Sequence, residues 1–201
     1  SQFRQLKQQG VAAMVIPHHI GYKAGFRGID WRSFTPEFSP VAEILSMHGL
    51  AESDKAPIPY LLPMGPRDGR STMHTGLKLG KVFGVIGSTD HHSAYPGSYG
   101  HGRAALWADE LTREGLWRAI HQRRTCALTG ERIELRFSVN GLALGAVSPQ
   151  RLADLPPAPV RKLRLEVQAA SRIDYAEILY RNRVIQRFSP ADPLEVERQC
   201  R

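Results

Sequence analysis

A carboxylate and two imidazoles follow one another at Asp90-His91-His92, just after a short apolar run, Phe83–Ile86, that ends at Gly87-Ser88. In an extended or turn backbone, side chains two residues apart can face the same side. Asp90 and His92 are therefore predicted to converge on one ion, while His91 points away. A hard oxygen beside a neutral imidazole suits Zn, Mn or Fe. A single Asp-x-His is also compatible with a polar surface loop. The choice between a metal site and a surface loop therefore depends on the rest of the sequence.

Two other apolar runs of strand length end at histidines. Val11–Ile16 is followed by Pro17-His18-His19, and Val41–Leu45 is followed by Ser46-Met47-His48. Buried strands of this length are typical of parallel α/β folds, whose active sites gather at the carboxyl ends of the strands. The three runs therefore predict a polar site at the strand ends, where His18, His48 and His92 lie at the same level.

Glu43 is the only charged residue within its apolar run. A carboxylate inside a buried strand costs free energy unless it meets a cation, a metal or a hydrogen-bonding network. We therefore expect Glu43 to face the polar end of the sheet. His48 is expected there as a metal ligand, an acid/base group or a phosphate contact.

Two loops are candidates for the surroundings of this site. Ile20–Pro40 is rich in glycine and aromatic residues, and it is predicted either to cover the site as a wall or lid, or to pack on its own aromatic side chains. Tyr95–Arg103 is rich in glycine and ends in an arginine. Backbone N–H groups and the Arg103 guanidinium could hold an anion there, although the spacing is not that of a Walker loop.

The remaining pattern predicts helices and then a change of period. Helices are expected over Phe3–Gln9, within Ser71–Gly80 and from Thr112 to Arg124, and a strand over Thr125–Leu128. From Glu131 apolar and polar residues alternate, and Asn140-Gly141 is a strong hairpin signal. We therefore predict a domain boundary near residue 131, with antiparallel strands beyond it and a Pro-rich loop at Asp154–Pro159.

Composition excludes several functional classes. The 27 Lys and Arg against 19 Asp and Glu give a net charge of +8, but the basic residues are scattered, which argues against nucleic-acid binding as the main role. The sequence has no apolar run of the ~18 residues needed to span a bilayer. Two distant cysteines predict no disulfide framework. Because Ser1-Gln2-Phe3 leads directly into a helical pattern, we expect a fragment of a longer chain. The sequence does not identify the cellular compartment.

Four segments together carry a resemblance to a known family. They are Ile16-Pro17-His18-His19, Ala42–Gly49, Gly87–His92, and the run from Gly100 through Glu131. They resemble a bacterial family catalogued only as a domain of unknown function, which belongs to the polymerase and histidinol phosphatase (PHP) superfamily. The resemblance covers roughly residues 1–145, and the later strands are similar to the family's β-rich carboxyl-terminal extension.

The resemblance implies an α/β fold. Residues 1–130 would form the carboxyl-terminal portion of a distorted β/α barrel of the PHP type, with divalent metal ions at the carboxyl ends of its strands. Residues 131–201 would form a small antiparallel β-rich extension. The superfamily's opening His-x-His pair has no counterpart here, which implies a fragment that lacks those ligands.

The resemblance also implies roles for individual residues. His18 matches the histidine of the His-Pro motif and would be a metal ligand, with His19 where the proline usually stands. Asp90 and His92 match the closing Asp-x-His pair and would be ligands. Glu43 and His48 match the strand-end glutamate and the following histidine, as ligands or as groups supporting ligands.

The function that follows is hydrolysis of a phosphate ester by metal-activated water, with Zn, Mn or Fe as cofactor and a small phosphorylated molecule as substrate. His48 or His19 would donate a proton to the leaving group, and Arg103 would neutralise developing charge. Two alternatives remain: a related metal-dependent hydrolase of a non-phosphate bond, or a non-catalytic binding module with an incomplete site. Since a half barrel exposes strand edges, pairing with a second copy or with the missing amino-terminal half is also expected.

Overall fold

The structure is a computed structural model that describes residues 2–59, 62–98, 100–146, 161–189 and 199–200. The chain divides into two compact units, Ser1–Gly130 and Glu131–Arg201. No helix within the described ranges is both long enough and apolar enough to cross a membrane.

The first unit is built on a three-stranded sheet in the order β2-β1-β3. Its strands are β1 (Val41–Ser46), β2 (Gly49–Leu50) and β3 (Gly84–Gly87). The two longer strands run parallel, with Val41 opposite Gly84, and β2 returns antiparallel to β1. All six residues of β1 are buried, as expected of an apolar strand with neighbours on both edges. The predicted strands at Val41–Leu45 and Phe83–Ile86 are thus present, within one residue at each end.

Short helices and an antiparallel strand pair complete this unit. The helices are α1 (Gln2–Gln8), α2 (Met73–Lys78) and α3 (Arg113–His121), and the strand pair is β4 (Arg103–Leu106) with β5 (Thr125–Leu128). Thr112 caps α3, because its side chain accepts a hydrogen bond from the Gly115 N–H at 3.0 Å. The three predicted helices are present, each shorter than or shifted slightly from its predicted bounds.

The core of the first unit combines aromatic side chains with aliphatic residues of β1. Trp31 stacks on Phe83 with ring centroids 4.9 Å apart, and Phe34 lies 5.2 Å from Trp31. Tyr22 is also completely buried. The Ile20–Pro40 segment therefore packs on its aromatic side chains, which favours the second of the two interpretations given for it.

The predicted α/β fold with part of a β/α barrel is wrong. Only β1 and β3 are parallel, the other described strand pairs are antiparallel, and no barrel closes among the described residues. The run Val11–Ile16, expected to be a buried strand, has no strand structure, and Val11 and Ile16 are 47% and 36% exposed. An apolar run becomes a buried strand only where a neighbouring strand pairs with it. Here the run makes isolated hydrogen bonds, such as Val15 N–H to Phe38 O at 2.8 Å.

The second unit is antiparallel throughout its described strands. One sheet has the order β11-β8-β6-β7, and a separate hairpin joins β9 to β10. The strands are β6 (Ile133–Val139), β7 (Leu142–Ala143), β8 (Arg161–Ala169), β9 (Ala176–Tyr180), β10 (Arg183–Phe188) and β11 (Gln199–Cys200). The predicted hairpin turn is present: Asn140 and Gly141 have φ of 50° and 81°, as a two-residue turn between twisted strands requires. The predicted loop at Asp154–Pro159 lies outside the described residues.

Candidate metal centre

Two of the candidate ligands lie at the carboxyl ends of neighbouring parallel strands. Hydrogen bonds from Ser88 N–H to Leu45 O at 2.9 Å and from Met47 N–H to Thr89 O at 3.3 Å continue the pairing of β1 and β3 past their ends. His48 lies in the tight turn between β1 and β2, and Asp90 follows β3 directly. Both side chains are therefore at one edge of the sheet, where parallel strands present functional groups.

His18 and His19 reach the same edge from an irregular segment. The Pro17 carbonyl accepts a hydrogen bond from Glu43 N–H at 2.9 Å, which ties the segment to β1 immediately before the two histidines. His19 is buried and has a left-handed backbone with φ of 54°, and Asp90 has φ of 49°. Such backbones are uncommon for residues other than glycine and cluster at functional sites.

Imidazole nitrogens surround the Asp90 carboxylate. Asp90 Oδ2 is 2.9 Å from His19 Nε2 and 3.0 Å from His48 Nε2, and Asp90 Oδ1 is 3.5 Å from His92 Nε2. Two groups offer one ligand atom per residue with all atoms within 4.8 Å of one another: His18 with His19 and Asp90, and His48 with Asp90 and His92. Because Asp90 belongs to both, the two groups form one set of four imidazoles around one carboxylate.

The buried atoms of this set lack hydrogen-bond partners within the described part of the chain. They are His19 Nδ1, His48 Nδ1, His48 Nε2 and Asp90 Oδ2. His48 Nε2 and Asp90 Oδ2 lie only 3.0 Å apart, but their relative orientation is not that of a hydrogen bond. Buried polar atoms normally have a partner. Imidazole nitrogen with carboxylate oxygen suits Zn, Mn or Fe, so these residues fit such an ion.

The imidazoles of His19 and His48 are neutral near pH 7. Burial lowers the pKa of His19 from its ordinary value of 6.5 to about 4, and the neighbouring His18 lowers it as well. Burial also lowers the pKa of His48. Asp90 acts in the opposite direction on both groups, but desolvation is the larger effect. The short contacts to Asp90 are therefore not salt bridges, and a neutral imidazole is the form that binds a metal.

Glu43 forms hydrogen bonds with residues next to the candidate ligands. One carboxylate oxygen, Oε1, accepts a hydrogen bond from the His19 N–H at 3.5 Å, and Oε2 accepts one from the Ser88 hydroxyl. Burial raises the pKa of Glu43, although these two hydrogen bonds oppose the rise. Glu43 is not a member of either ligand group. Of the two roles considered for it, the geometry favours support of ligands over direct ligation.

Arg103, a candidate from the sequence, and His91, which was predicted to point away, have other contacts. Arg103 begins β4, and its Nη2 donates to the Gly97 carbonyl at 3.1 Å, so the guanidinium bonds to the glycine-rich loop itself. His91 Nδ1 accepts a hydrogen bond from Ser93 N–H at 3.1 Å, and its ring lies 5.5 Å from that of Tyr95. His91 is in neither ligand group although it lies between two of their members.

Two residues of the site were missed from the sequence. Ser88 was interpreted only as part of a turn, but its hydroxyl donates to Glu43. Tyr22 was assigned only to a loop, but its buried ring lies 5.9 Å from that of His19, and its N–H donates to the His19 carbonyl at 3.1 Å. A serine directly after a strand that neighbours a buried glutamate was an available signal for the first. Nothing in local spacing indicated the second.

Part of the chain matches a protein-family model. Residues 98–146 match a family described as a protein of unknown function, DUF3604. This segment spans β4 through β7 and includes Arg103, and the four histidines and Asp90 lie outside it. No solved structure matches the chain significantly.

Similar curated proteins come from Chlamydia species. An uncharacterized protein of Chlamydia pneumoniae is 30% identical over 175 residues, and uncharacterized proteins of Chlamydia trachomatis and Chlamydia muridarum are 26% identical over 176 and 179 residues. Each match covers 81% of this chain and 28% of the relative. The chain thus spans about 28% of the length of the curated relatives that it matches.

Proposed function

We propose that this chain carries the metal-binding part of a metal-dependent phosphoesterase that hydrolyses the phosphate ester of a small substrate. The observation that carries the proposal is the set of four histidines around Asp90, whose buried polar atoms lack partners in the described part of the chain. The reaction class rests on the resemblance to the PHP superfamily and is an analogy at the family level.

The proposal assigns His18, His19, His48, Asp90 and His92 as metal ligands. His19 and His48 approach Asp90 through Nε2 and are buried, so they hold fixed positions. His92 is 69% exposed, so the set can be reached from solvent on the side of this ligand. A divalent ion held there would lower the pKa of a bound water, which would provide hydroxide as the nucleophile for phosphorus near neutral pH.

Proton transfer by His19 is disfavoured near pH 7, because a group with a pKa of about 4 carries no proton to donate. Burial lowers the pKa of His48 as well, so proton transfer by His48, a prediction of the sequence, is not part of this proposal, which assigns His48 as a ligand. Charge neutralisation by Arg103, which donates a hydrogen bond to the Gly97 carbonyl, stays a prediction. The small phosphorylated substrate and self-association also remain predictions of the sequence.

The first experiment measures bound metal. The purified chain is loaded with Zn²⁺ or Mn²⁺ and desalted, and bound metal is quantified by elemental mass spectrometry for the wild type and for Asp90→Ala, His92→Ala and Glu43→Gln. We expect stoichiometric metal in the wild type, loss in Asp90→Ala and a clear reduction in His92→Ala. For Glu43→Gln, a supporting role predicts affinity about 10–100-fold weaker rather than complete loss.

His91→Ala is the matched control for this experiment. It removes an imidazole between Asp90 and His92 whose ring faces Ser93 and Tyr95, so it should leave metal binding unchanged. If Asp90→Ala and His92→Ala kept the wild-type metal content, the ligand assignment would be wrong. If the metal-loaded chain bound metal but neither bound phosphate nor cleaved a general phosphate ester such as p-nitrophenyl phosphate, the phosphoesterase assignment would fail for this chain.

A further inference from the structure

The hairpin of β9 and β10 presents apolar side chains to solvent on one of its faces. Leu179 is paired directly with Val184, so these two side chains lie on the same face. They are 43% and 50% exposed, and Ile185, which follows at a register shift of the pairing, is 45% exposed. Ile178, the residue before Leu179, points to the opposite face and is buried. The hairpin therefore packs on its own unit through one face and leaves an aliphatic cluster of Leu179, Val184 and Ile185 exposed.

Another strand of the same unit shows the pattern that is usual for a half-buried sheet. Exposed and half-buried residues alternate at every position along β8. The exposed residues of β8 are all polar: Lys162, Arg164, Glu166 and Gln168. An antiparallel sheet with one solvated face normally alternates in this way. The aliphatic cluster of β9 and β10 departs from this pattern, and contiguous exposed apolar side chains are typical of interaction sites.

The tip of the hairpin is cationic. Arg181 and Asn182 form the turn with φ of 50° and 60°, as a two-residue turn between twisted strands requires. Arg181 and Arg183 are exposed, and neither forms an ion pair with a carboxylate in the described part of the chain. At the other end of the hairpin, Arg187 Nε donates a hydrogen bond to Glu177 Oε1 at 2.7 Å. The positive charge that no carboxylate neutralises therefore lies at the tip, next to the aliphatic cluster.

Two exposed tyrosines border the aliphatic cluster. Tyr175 precedes β9 and is 55% exposed, and Tyr180 ends β9 and is 42% exposed. The guanidinium carbons of Arg181 and Arg161 lie 5.3 and 5.9 Å from the centroid of the Tyr180 ring. A tyrosine has an apolar ring and a polar hydroxyl, which suits the boundary between an apolar phase and water. The hairpin thus combines an apolar centre, an aromatic border and a cationic tip.

We propose that the β9–β10 hairpin docks on the surface of an anionic phospholipid bilayer. The aliphatic cluster enters the boundary between headgroups and acyl chains, and the guanidiniums of Arg181 and Arg183 bind lipid phosphates. Both strands have an outer edge without a partner among the described strands, so their backbone groups need water, and the hairpin stays at the interface.

The charge and the residue types favour an anionic bilayer over a protein partner. The cationic tip complements lipid phosphates, and aliphatic side chains bordered by tyrosines and arginines are typical of elements that lie in a membrane interface. The inference does not depend on the proposed function, because all the candidate metal ligands lie in the other unit.

The test measures co-sedimentation of the full chain with vesicles of phosphatidylcholine alone and of an equimolar mixture of phosphatidylcholine and phosphatidylglycerol. We expect binding to the mixed vesicles and little binding to phosphatidylcholine. Binding should weaken when NaCl is raised from about 0.1 M to about 1 M, because the screening length falls from about 10 Å to about 3 Å.

Two variants test the tip and the aliphatic cluster separately. Arg181→Asn should weaken binding to the mixed vesicles about fivefold, and asparagine tolerates the positive φ of the turn. Leu179→Thr combined with Val184→Thr should weaken binding about 10-fold, because apolar surface is lost while the strand preference is kept.

Each variant has a control in which a similar change is made elsewhere on the surface. Arg164→Gln removes one positive charge from the exposed side of β8. Val82→Thr combined with Leu111→Thr replaces exposed apolar side chains of the other unit. Both controls should bind the mixed vesicles as the wild type does, and far-UV circular dichroism checks that every variant is folded.

Several results would overturn the inference. One is the absence of wild-type binding to the mixed vesicles, and another is an equal loss in Arg181→Asn and Arg164→Gln, since the effect would then be general charge. Size-exclusion chromatography without vesicles tests for a protein partner. A wild-type dimer that Leu179→Thr with Val184→Thr converts to a monomer would make the hairpin an interface between copies and overturn the membrane assignment.

Discussion

At the scale of single residues, Asp90 is the group on which the candidate centre depends. Its two carboxylate oxygens lie within 3.5 Å of imidazole nitrogens from three different segments of the chain. Those imidazoles are brought there by a turn after β1, by an irregular segment tied to β1, and by the loop after β3. Removing Asp90 would therefore remove the one residue that belongs to both ligand groups.

The protonation of His19 makes the stability of the metal-free protein depend on pH. The unfolded chain takes up a proton on His19 near pH 6.5, whereas the folded chain does so only near pH 4. Acid therefore favours unfolding, and the free energy of unfolding should fall by up to about 3 kcal/mol as pH drops from about 6.5 to 4. The measurement is urea denaturation with chelator at several pH values.

His19→Asn is the comparison for this prediction, because asparagine tolerates the left-handed backbone at position 19. Glu43 has a raised pKa, so it opposes the effect by stabilising the fold as pH falls toward its ordinary value of 4.5. His48 has a lowered pKa and acts in the same direction as His19. Both contributions persist in the variant, so the difference between the two proteins isolates His19. Equal pH dependence in the wild type and His19→Asn would contradict the assignment.

The residue types of the site could be predicted from sequence, but their contacts could not. Asp90 and His92 share a short motif, and His48 follows an apolar strand, so local pattern was enough to select them. The approach of His19 to Asp90 joins residues far apart in the chain, and it depends on backbone turns with positive φ that no spacing rule encodes. Tyr22 was missed as part of the site for the same reason, whereas the position of Ser88 directly after the apolar run offered a signal that was not used.

At the scale of elements, the loop from Ile20 to Ile29, which a hydrogen bond from Ile29 N–H to Ile20 O closes at 3.4 Å, depends on the absence of a side chain at Gly28. A Cβ there would meet the backbone of Tyr22 rather than a flexible side chain, so relief requires the loop to open. We expect Gly28→Ala to destabilise the protein by about 2 kcal/mol or more. Urea denaturation measures this effect.

Gly25→Ala is the matched control in the same loop. Gly25 has φ of 83° but open space around an added Cβ, so the cost is limited to backbone strain of about 1 kcal/mol. If Gly28→Ala were no more destabilising than Gly25→Ala, the close packing of the loop would not be a determinant of its structure.

The elements themselves were predicted unevenly, for physical reasons. Strands β1 and β3 and the hairpin at Asn140-Gly141 were predicted because apolar runs and turn residues act locally. The run Val11–Ile16 was predicted as a strand and is not one, since strand formation depends on a pairing partner that the run itself does not specify. The predicted barrel was wrong for the same reason. A barrel requires a succession of parallel strand pairs, and β1 with β3 is the only parallel pair among the described strands.

At the scale of the whole molecule, all the candidate ligands lie in the unit Ser1–Gly130. The three tryptophans, Trp31, Trp107 and Trp117, lie in the same unit. Tryptophan fluorescence therefore reports on the unfolding of the part of the chain that is proposed to bind metal, and the unit Glu131–Arg201 contributes no tryptophan to the signal.

Bound metal should stabilise this unit by mass action. A ligand that binds only the folded state adds about 2.7 kcal/mol to the free energy of unfolding at a concentration 100 times its dissociation constant. Addition of Zn²⁺ should therefore move the tryptophan-detected urea transition to higher denaturant, and excess chelator should reverse the shift. Asp90→Ala should show neither change, whereas His91→Ala should respond as the wild type does, because its imidazole belongs to neither ligand group. A transition that ignores Zn²⁺ in the wild type, or that shifts equally in Asp90→Ala, would mean that the histidines around Asp90 do not form the metal site of this unit.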